Sequence, residues 1–229
     1  LGKTYRSIRA YDQSQDQLER ALELFEGESN VKLEALTELA LVHEALGNYL
    51  QAEPMLAVLL ERKTSELGDS HDEVIDAKID LSTVYRRIGK VEKAEDLCVS
   101  ALTQIRDQNR STEDPRMLKC MNELAKIFLA RDKIAQAESM SRNVFERSRL
   151  SLGEKNSVSL IRGQVLVEAL RLGGKLDEAE TLSMNLVASL VEALGQTHPD
   201  TLGAMDALAE IVVSRKELPR SLDLYEQIL

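Results

Sequence analysis

The residues able to do chemistry are few and scattered. The chain of 229 residues has three histidines, His43, His71 and His198, and two cysteines, Cys98 and Cys120. A zinc site needs ligands gathered at short, regular spacings, and a disulfide framework needs more cysteines than two. Neither pattern is present, so His43 and both cysteines are read as core residues, and His71 and His198 as helix-start residues. Gly173-Gly174-Lys175 resembles the end of a phosphate loop but lacks the upstream glycine, the following Ser or Thr and the preceding strand. Glu53, Glu95, Glu138 and Glu180 recur at one slot of a repeat, which sets them apart from a carboxylate pair poised for acid-base work. Met55, Met117, Met121 and Met140 sit at helical spacing and are read as core filler, not a copper or haem site. The expectation is a protein that catalyses nothing and holds no metal or cofactor.

Composition points the same way. Aromatic residues are 3% of the chain and Trp is absent, so the core must be built from Leu, Ala, Val and Ile. These are materials of packed helices. Apolar residues recur three and four apart, as in Leu36, Leu39, Ala40 and Leu56, Leu59, Leu60, which predicts an all-α fold. The net charge of -10 is spread without a basic stripe, which argues against nucleic acid. No apolar run reaches the length of a membrane span and no signal peptide opens the chain, so no membrane partner and a soluble, cytoplasmic protein in a reducing compartment are expected. The chain starts at Leu1 without an initiator Met, and is expected to be a piece of something longer.

The elements that must position these residues come from a repeat. The pattern Leu-Ala-x-x-Tyr, four residues, Gly-x-Tyr, two residues, Ala-Glu returns through the chain. One copy places Leu39, Ala40, His43, Gly47, Tyr49, Ala52 and Glu53. The next places Leu81, Ser82, Tyr85, Gly89, Val91, Ala94 and Glu95. Further copies begin at Leu124 and Leu166, with Asp132 in the glycine slot of the first and Gly174 in that of the second. Degenerate copies begin at Leu1 and Leu208, carrying Arg9 and Lys216 in that slot. The glycines end first helices in the left-handed conformation, and Asp132 can reach it too. The alanine pairs Ala40 with Ala52 and Ala125 with Ala137 let two helices approach closely. Leu67-Gly68, Leu152-Gly153 and Leu194-Gly195 end second helices, and Asp114-Pro115 and His198-Pro199-Asp200 start the next.

The spacing predicts first helices near 1–8, 31–46, 72–88, 115–131, 157–172 and 199–215, and second helices near 11–26, 49–66, 91–108, 134–152, 176–194 and 218–229. Each hairpin is too small to bury its apolar face alone, so one stacked domain is expected, with units 1–30, 31–70, 71–113, 114–156, 157–198 and 199–229.

The run from Leu39 to Leu60, LALVHEALGNYLQAEPMLAVLL, and the run LGQTHPD from Leu194 to Asp200 resemble the kinesin-light-chain type of tetratricopeptide repeat. The resemblance implies a right-handed α-solenoid of antiparallel helix pairs, whose first helices line a concave face. It implies a scaffold that captures a peptide or partner domain there. The alternative is the sensor or self-association segment of a larger nucleotide-switch protein. Of the asparagine pair common in such repeats only Asn122 is present.

By the same resemblance the groove residues are Thr37, Leu41 and Glu44, then Ile79, Thr83, Arg86 and Arg87. Asn122, Lys126 and Leu129 follow, with Lys119 one turn before Asn122, and then Gln164, Glu168 and Arg171, with Asp206 and Glu210 last. Arg86, Arg87, Lys119 and Lys126 are expected to form a basic centre flanked by Glu44, Glu168 and Glu210, suited to a partner with an acidic segment. Self-association is expected through the apolar ends, Leu1 and the run Leu222, Leu224, Ile228, Leu229.

Overall fold

A computed structural model describes residues 30–215. The degenerate first copy of the repeat, the helices expected at 1–8, 11–26 and 218–229, and the apolar ends lie outside these residues. Among the described residues the structure is all α-helical: α1 (Asn30–Ala45), α2 (Tyr49–Leu67), α3 (Asp72–Arg87), α4 (Val91–Asp107), α5 (Pro115–Ala130), α6 (Ile134–Leu152), α7 (Ser157–Leu172), α8 (Leu176–Leu194) and α9 (Pro199–Ser214). The chain divides into two compact units, Leu1–Gln108 and Asn109–Leu229. Each is described by itself.

Both units are built from the same hairpin turn. The amide of Lys175 reaches the Leu170 carbonyl at 2.9 Å and that of Gly174 the Arg171 carbonyl at 3.1 Å. This is the paired closure that caps a helix end with one left-handed residue. Gly174 supplies that residue at φ 74°, and Asp132 takes its place in the α5–α6 turn at φ 57°. The connection between hairpins is different, because Gly153 stands at φ 100° and ψ 155°, a region open only to glycine.

Helix starts are capped as the sequence suggests. Asp114 accepts from the Arg116 amide at 2.8 Å, with Pro115 at the first helical position. The Nδ1 atoms of His71 and His198 accept from the amides of Glu73 and Asp200, each at 3.2 Å. Both histidines therefore work as N-caps. Asn156 caps α7 in the same way, accepting from the Val158 amide at 2.9 Å.

In unit 1, α1, α2, α3 and α4 pack each on the next. Ala40 and Ala52, both fully buried, bring α1 against α2, and Leu56, Leu59, Leu81 and Val84 complete that core. In unit 2, α5 to α9 pack in succession, and the first helices also touch one another, α5 with α7 and α7 with α9. Its core gathers Phe145, Leu160, Leu166, Leu170, Leu186, Leu190 and Ile211. Each such side chain contributes about 1.5–3 kcal/mol of burial, against the entropy of ordering the chain. Cys98 and Cys120 are buried thiols, and the Cys98 sulfur lies 3.0 Å from the Ser82 hydroxyl.

His43 is a core residue in the aromatic slot, but its buried Nδ1 has no hydrogen-bond partner. Three glutamates of the Ala-Glu slot, Glu53, Glu138 and Glu180, pair with a basic residue of the following hairpin. Lys90 Nζ lies 2.6 Å from Glu53 Oε1, Lys175 Nζ 2.7 Å from Glu138 Oε1, and Arg215 Nε 3.0 Å from Glu180 Oε2.

Candidate functional site

The expected groove residues sit on first helices, whose seams differ in how they are closed. In unit 1, Thr37, Leu41 and Glu44 of α1 line a cavity of about 150 Å³. Leu56 and Leu59 of α2 form its floor, and Asp76, Ala77 and Asp80 of α3 its far wall. Lys63 and Glu73 meet at its edge, 3.2 Å apart. Leu41 is 50% exposed. Four carboxylates, Glu44, Glu73, Asp76 and Asp80, are among its lining residues, with Lys63.

The remaining unit 1 positions scatter. Ile79 is fully buried and belongs to the core, which corrects its assignment to the groove: the residue two before the leucine slot turns inward on α3. Thr83 is partly buried and donates to the Ile79 carbonyl at 3.2 Å. Arg87 is exposed and lies over the Tyr49 ring, 5.8 Å from its centroid, beside the α1–α2 turn. Arg86 is half-buried.

In unit 2 the seam between α7 and α9 is bridged. Gln164 donates to the Asp200 carbonyl at 2.9 Å. One turn pair further along, Arg171 grips Glu168 through Nε at 2.8 Å and Nη2 at 2.7 Å, and its Nη2 also reaches Glu210 at 3.2 Å. The Glu168 hydrogen bond, working against partial burial and aided by Glu210, raises the arginine above its ordinary value. Gln164, Glu168, Arg171 and Glu210 are thus brought together, while Asp206 is exposed.

The seam between α5 and α7 is plugged. Arg162, four residues before Leu166, stands in the slot that Ala77 holds before Leu81. It is only 9% exposed and donates to the Ser148 hydroxyl at 2.8 Å. Ser148 in turn stands in the slot of Lys63, eleven residues after the hairpin alanine. Burial pushes the Arg162 guanidinium down. On α5, Lys126 lies 3.5 Å from the buried Glu123, Leu129 is half-buried and Lys119 is exposed. Asn122 keeps a buried Oδ1 without a hydrogen-bond partner. Arg86 and Arg87 belong to unit 1 and Lys119 and Lys126 to unit 2, so the expected basic centre is divided between the two units.

Sequence reasoning missed Glu73, Asp76, Ala77 and Asp80. A signal existed, because like charges three, four and seven residues apart share one helix face and repel, a pattern that packing alone does not favour. It also missed Arg162, whose slot holds Ala35, Ala77, Cys120 and Ala204 in the other copies.

No helix among the described residues is long and apolar enough to cross a membrane. Residues 32–107 match the tetratricopeptide repeat family. No curated protein matches the sequence. Among solved structures, the kinesin light chain-type repeats of Podospora anserina are 22% identical, with 89% of this chain and 95% of that one covered and a TM-score of 0.69. BtubC (BKLC) from P. vanneervenii is 19% identical over 100% of this chain and 90% of its own, with a TM-score of 0.69. NprR in complex with its cognate peptide NprX is 16% identical over 97% of this chain and 62% of its own, with a TM-score of 0.76. Residues 32–107 therefore match the tetratricopeptide repeat, and the chain has the all-α fold of stacked helix pairs seen in these solved structures.

Proposed function

We propose that the chain is a protein-interaction module that works by binding and holds a partner peptide or domain along its first helices. The observation that carries this reading is the half-exposed Leu41 beside an open cavity on α1, flanked by Thr37 and Glu44. An exposed leucine next to polar residues is surface on which a partner can bury apolar area. The peptide held by NprR, a protein of similar fold, supports the same use of the repeat. An acidic stretch of the partner would lie against Lys119 and Lys126 in unit 2.

The test is site-specific photo-cross-linking. A photo-reactive residue at Leu41 or Lys126 is expected to give adducts with a bound partner, and one at Val99 or Leu150, both exposed on second helices, is not. Adducts from the second helices alone would overturn the proposal.

A further inference from the structure

We infer that the turn edge of unit 1, where Arg87 of α3 lies over Tyr49 of α2 and lines one hollow with Leu50, takes up an apolar side chain with a neighbouring Asp or Glu from a partner protein. The site shares no residue with the cavity beside Leu41, so it stands whether or not the first helices are the docking face.

Shape comes first. Gly47, Tyr49, Leu50, Arg87 and Ile88 line an open hollow of about 320 Å³. Clefts that hold small ligands begin at roughly 300 Å³, which is room for one bulky side chain and the backbone beside it. Leu50 is 71% exposed, and Gly47 adds bare backbone, with no atom within 4 Å of where its Cβ would be. A single exposed leucine is ordinary. One set beside an aromatic ring, an isoleucine and a guanidinium makes a surface whose apolar part a partner can cover while the polar part selects.

The charge comes from Arg87. Its guanidinium lies 5.8 Å from the Tyr49 ring centroid, a cation–π distance, and among the described residues it meets no carboxylate. Glu53, one turn along α2, is held by Lys90, whose Nζ stands 2.6 Å from its Oε1, and so does not offset Arg87. A ring that covers one side of a guanidinium leaves the N–H edge for a carboxylate, which can accept two parallel hydrogen bonds. An acidic residue next to an apolar one therefore satisfies both halves of the hollow, whereas a lysine there would be repelled.

The other copies of the repeat do not carry this pair. The Leu50 slot holds Glu92, Ala135 and Asp177, and the Arg87 slot holds Ala45, Ala130 and Leu172. Tyrosine and arginine are among the residues enriched where interfaces concentrate their binding energy, because each brings contact area and a directed polar group together.

The experiment titrates the full chain, isotope-labelled for amide NMR, with a dodecapeptide blocked at both ends that carries Leu-Glu-Phe-Glu in a Gly-Ser background. The amides of Gly47, Leu50 and Ile88 are expected to shift and saturate. The same peptide with Gln for both Glu should bind roughly tenfold more weakly, as expected for loss of a charged hydrogen bond. Arg87→Ala should weaken the Glu peptide by a similar factor, while Arg106→Ala, at an exposed arginine elsewhere in unit 1, should leave it unchanged. Leu50→Glu, which copies Glu92 of the next hairpin, should abolish binding. Leu50 and Arg87 are both exposed, so the variants should keep the parent melting temperature. Equal binding of the Gln and Glu peptides would overturn the assignment. Equal weakening by Arg87→Ala and Arg106→Ala would do so too, since that is attraction to net charge alone, as would shifts at Leu41 without shifts at Leu50. A Gln peptide with a free carboxyl terminus that matches the blocked Glu peptide would overturn the side-chain source of the carboxylate. If Arg87→Ala fails to fold, the peptide pair and Leu50→Glu decide.

Discussion

Lys175 and Glu138 lie 37 residues apart in sequence, yet the lysine ammonium bonds both carboxylate oxygens, at 2.7 and 2.9 Å. The lysine sits on the turn before α8 and the glutamate on α6, so the pair fixes the spacing of consecutive second helices. That hydrogen bond, joined by one from Arg142 and opposed by burial, holds Glu138 below its ordinary value.

A glutamate depressed in the folded state stays ionised where the unfolded chain has begun to take up a proton. Its stabilisation is full above the ordinary glutamate range near 4.3 and is lost as pH falls through the lower folded value. Glu138→Gln should therefore reduce stability at pH 7 by about 1 kcal/mol or less, because Lys175 is half exposed. The difference from the parent should shrink as acid is added. Urea unfolding at pH 7 and in the acid range measures both. A deficit that stays constant with pH would mean the pair does not supply the effect.

Gly163 stands inside α7, where glycine costs about 1 kcal/mol relative to alanine. The reason it is there is Phe145 of α6, whose ring carbon lies 2.8 Å from where a Cβ would be, with Leu186 at 3.0 Å. Gly163→Ala gains helix propensity but overpacks the core by roughly 1–3 kcal/mol, so the net loss should be about 1 kcal/mol. Phe145→Leu in the same chain should recover most of it. A double-mutant cycle by denaturant unfolding reads the coupling.

His43 occupies a slot filled by Tyr85 and Phe128 in the next two copies. Its ring is buried and its Nδ1 is left without a partner, a desolvation penalty of about 1–3 kcal/mol. His43→Phe keeps the ring and removes the orphan acceptor. The variant should melt several degrees higher. A lower melting temperature would show that the imidazole makes an interaction the ring shape alone cannot replace.

The helices were legible in the sequence because each boundary rests on local chemistry: glycine or Asp132 where φ is positive, and Asp114 or His198 where a helix starts. The groove was less legible, because family spacing fixes which helix a residue is on more firmly than which way it points. Ile79 and Thr37 share a slot, yet one is core and the other lines a cavity. Thr37 and Ala77 are short where Gln164 and Arg162 are long, and such an absence shows only when the equivalent slots elsewhere are seen filled.

Arg162 is the clearest case of such filling and of its cost. Its guanidinium is buried, burial pushes its proton affinity down, and Ser148 is a neutral partner. Among the described residues no carboxylate pairs with it. A buried charge without a counter-charge gives up hydration that one hydroxyl does not restore, and replacing such a group by an apolar side chain of similar volume is often neutral or stabilising. Arg162→Met should therefore raise stability by about 1 kcal/mol, since methionine's flexible chain can occupy the same seam. Arg162→Ala removes the same charge but leaves the seam empty, and the cavity should offset the gain. Thermal unfolding of the two variants separates charge from volume: Met above the parent with Ala at or below it. If both variants fall below the parent by the same amount, the arginine holds the seam through its charge and not its bulk.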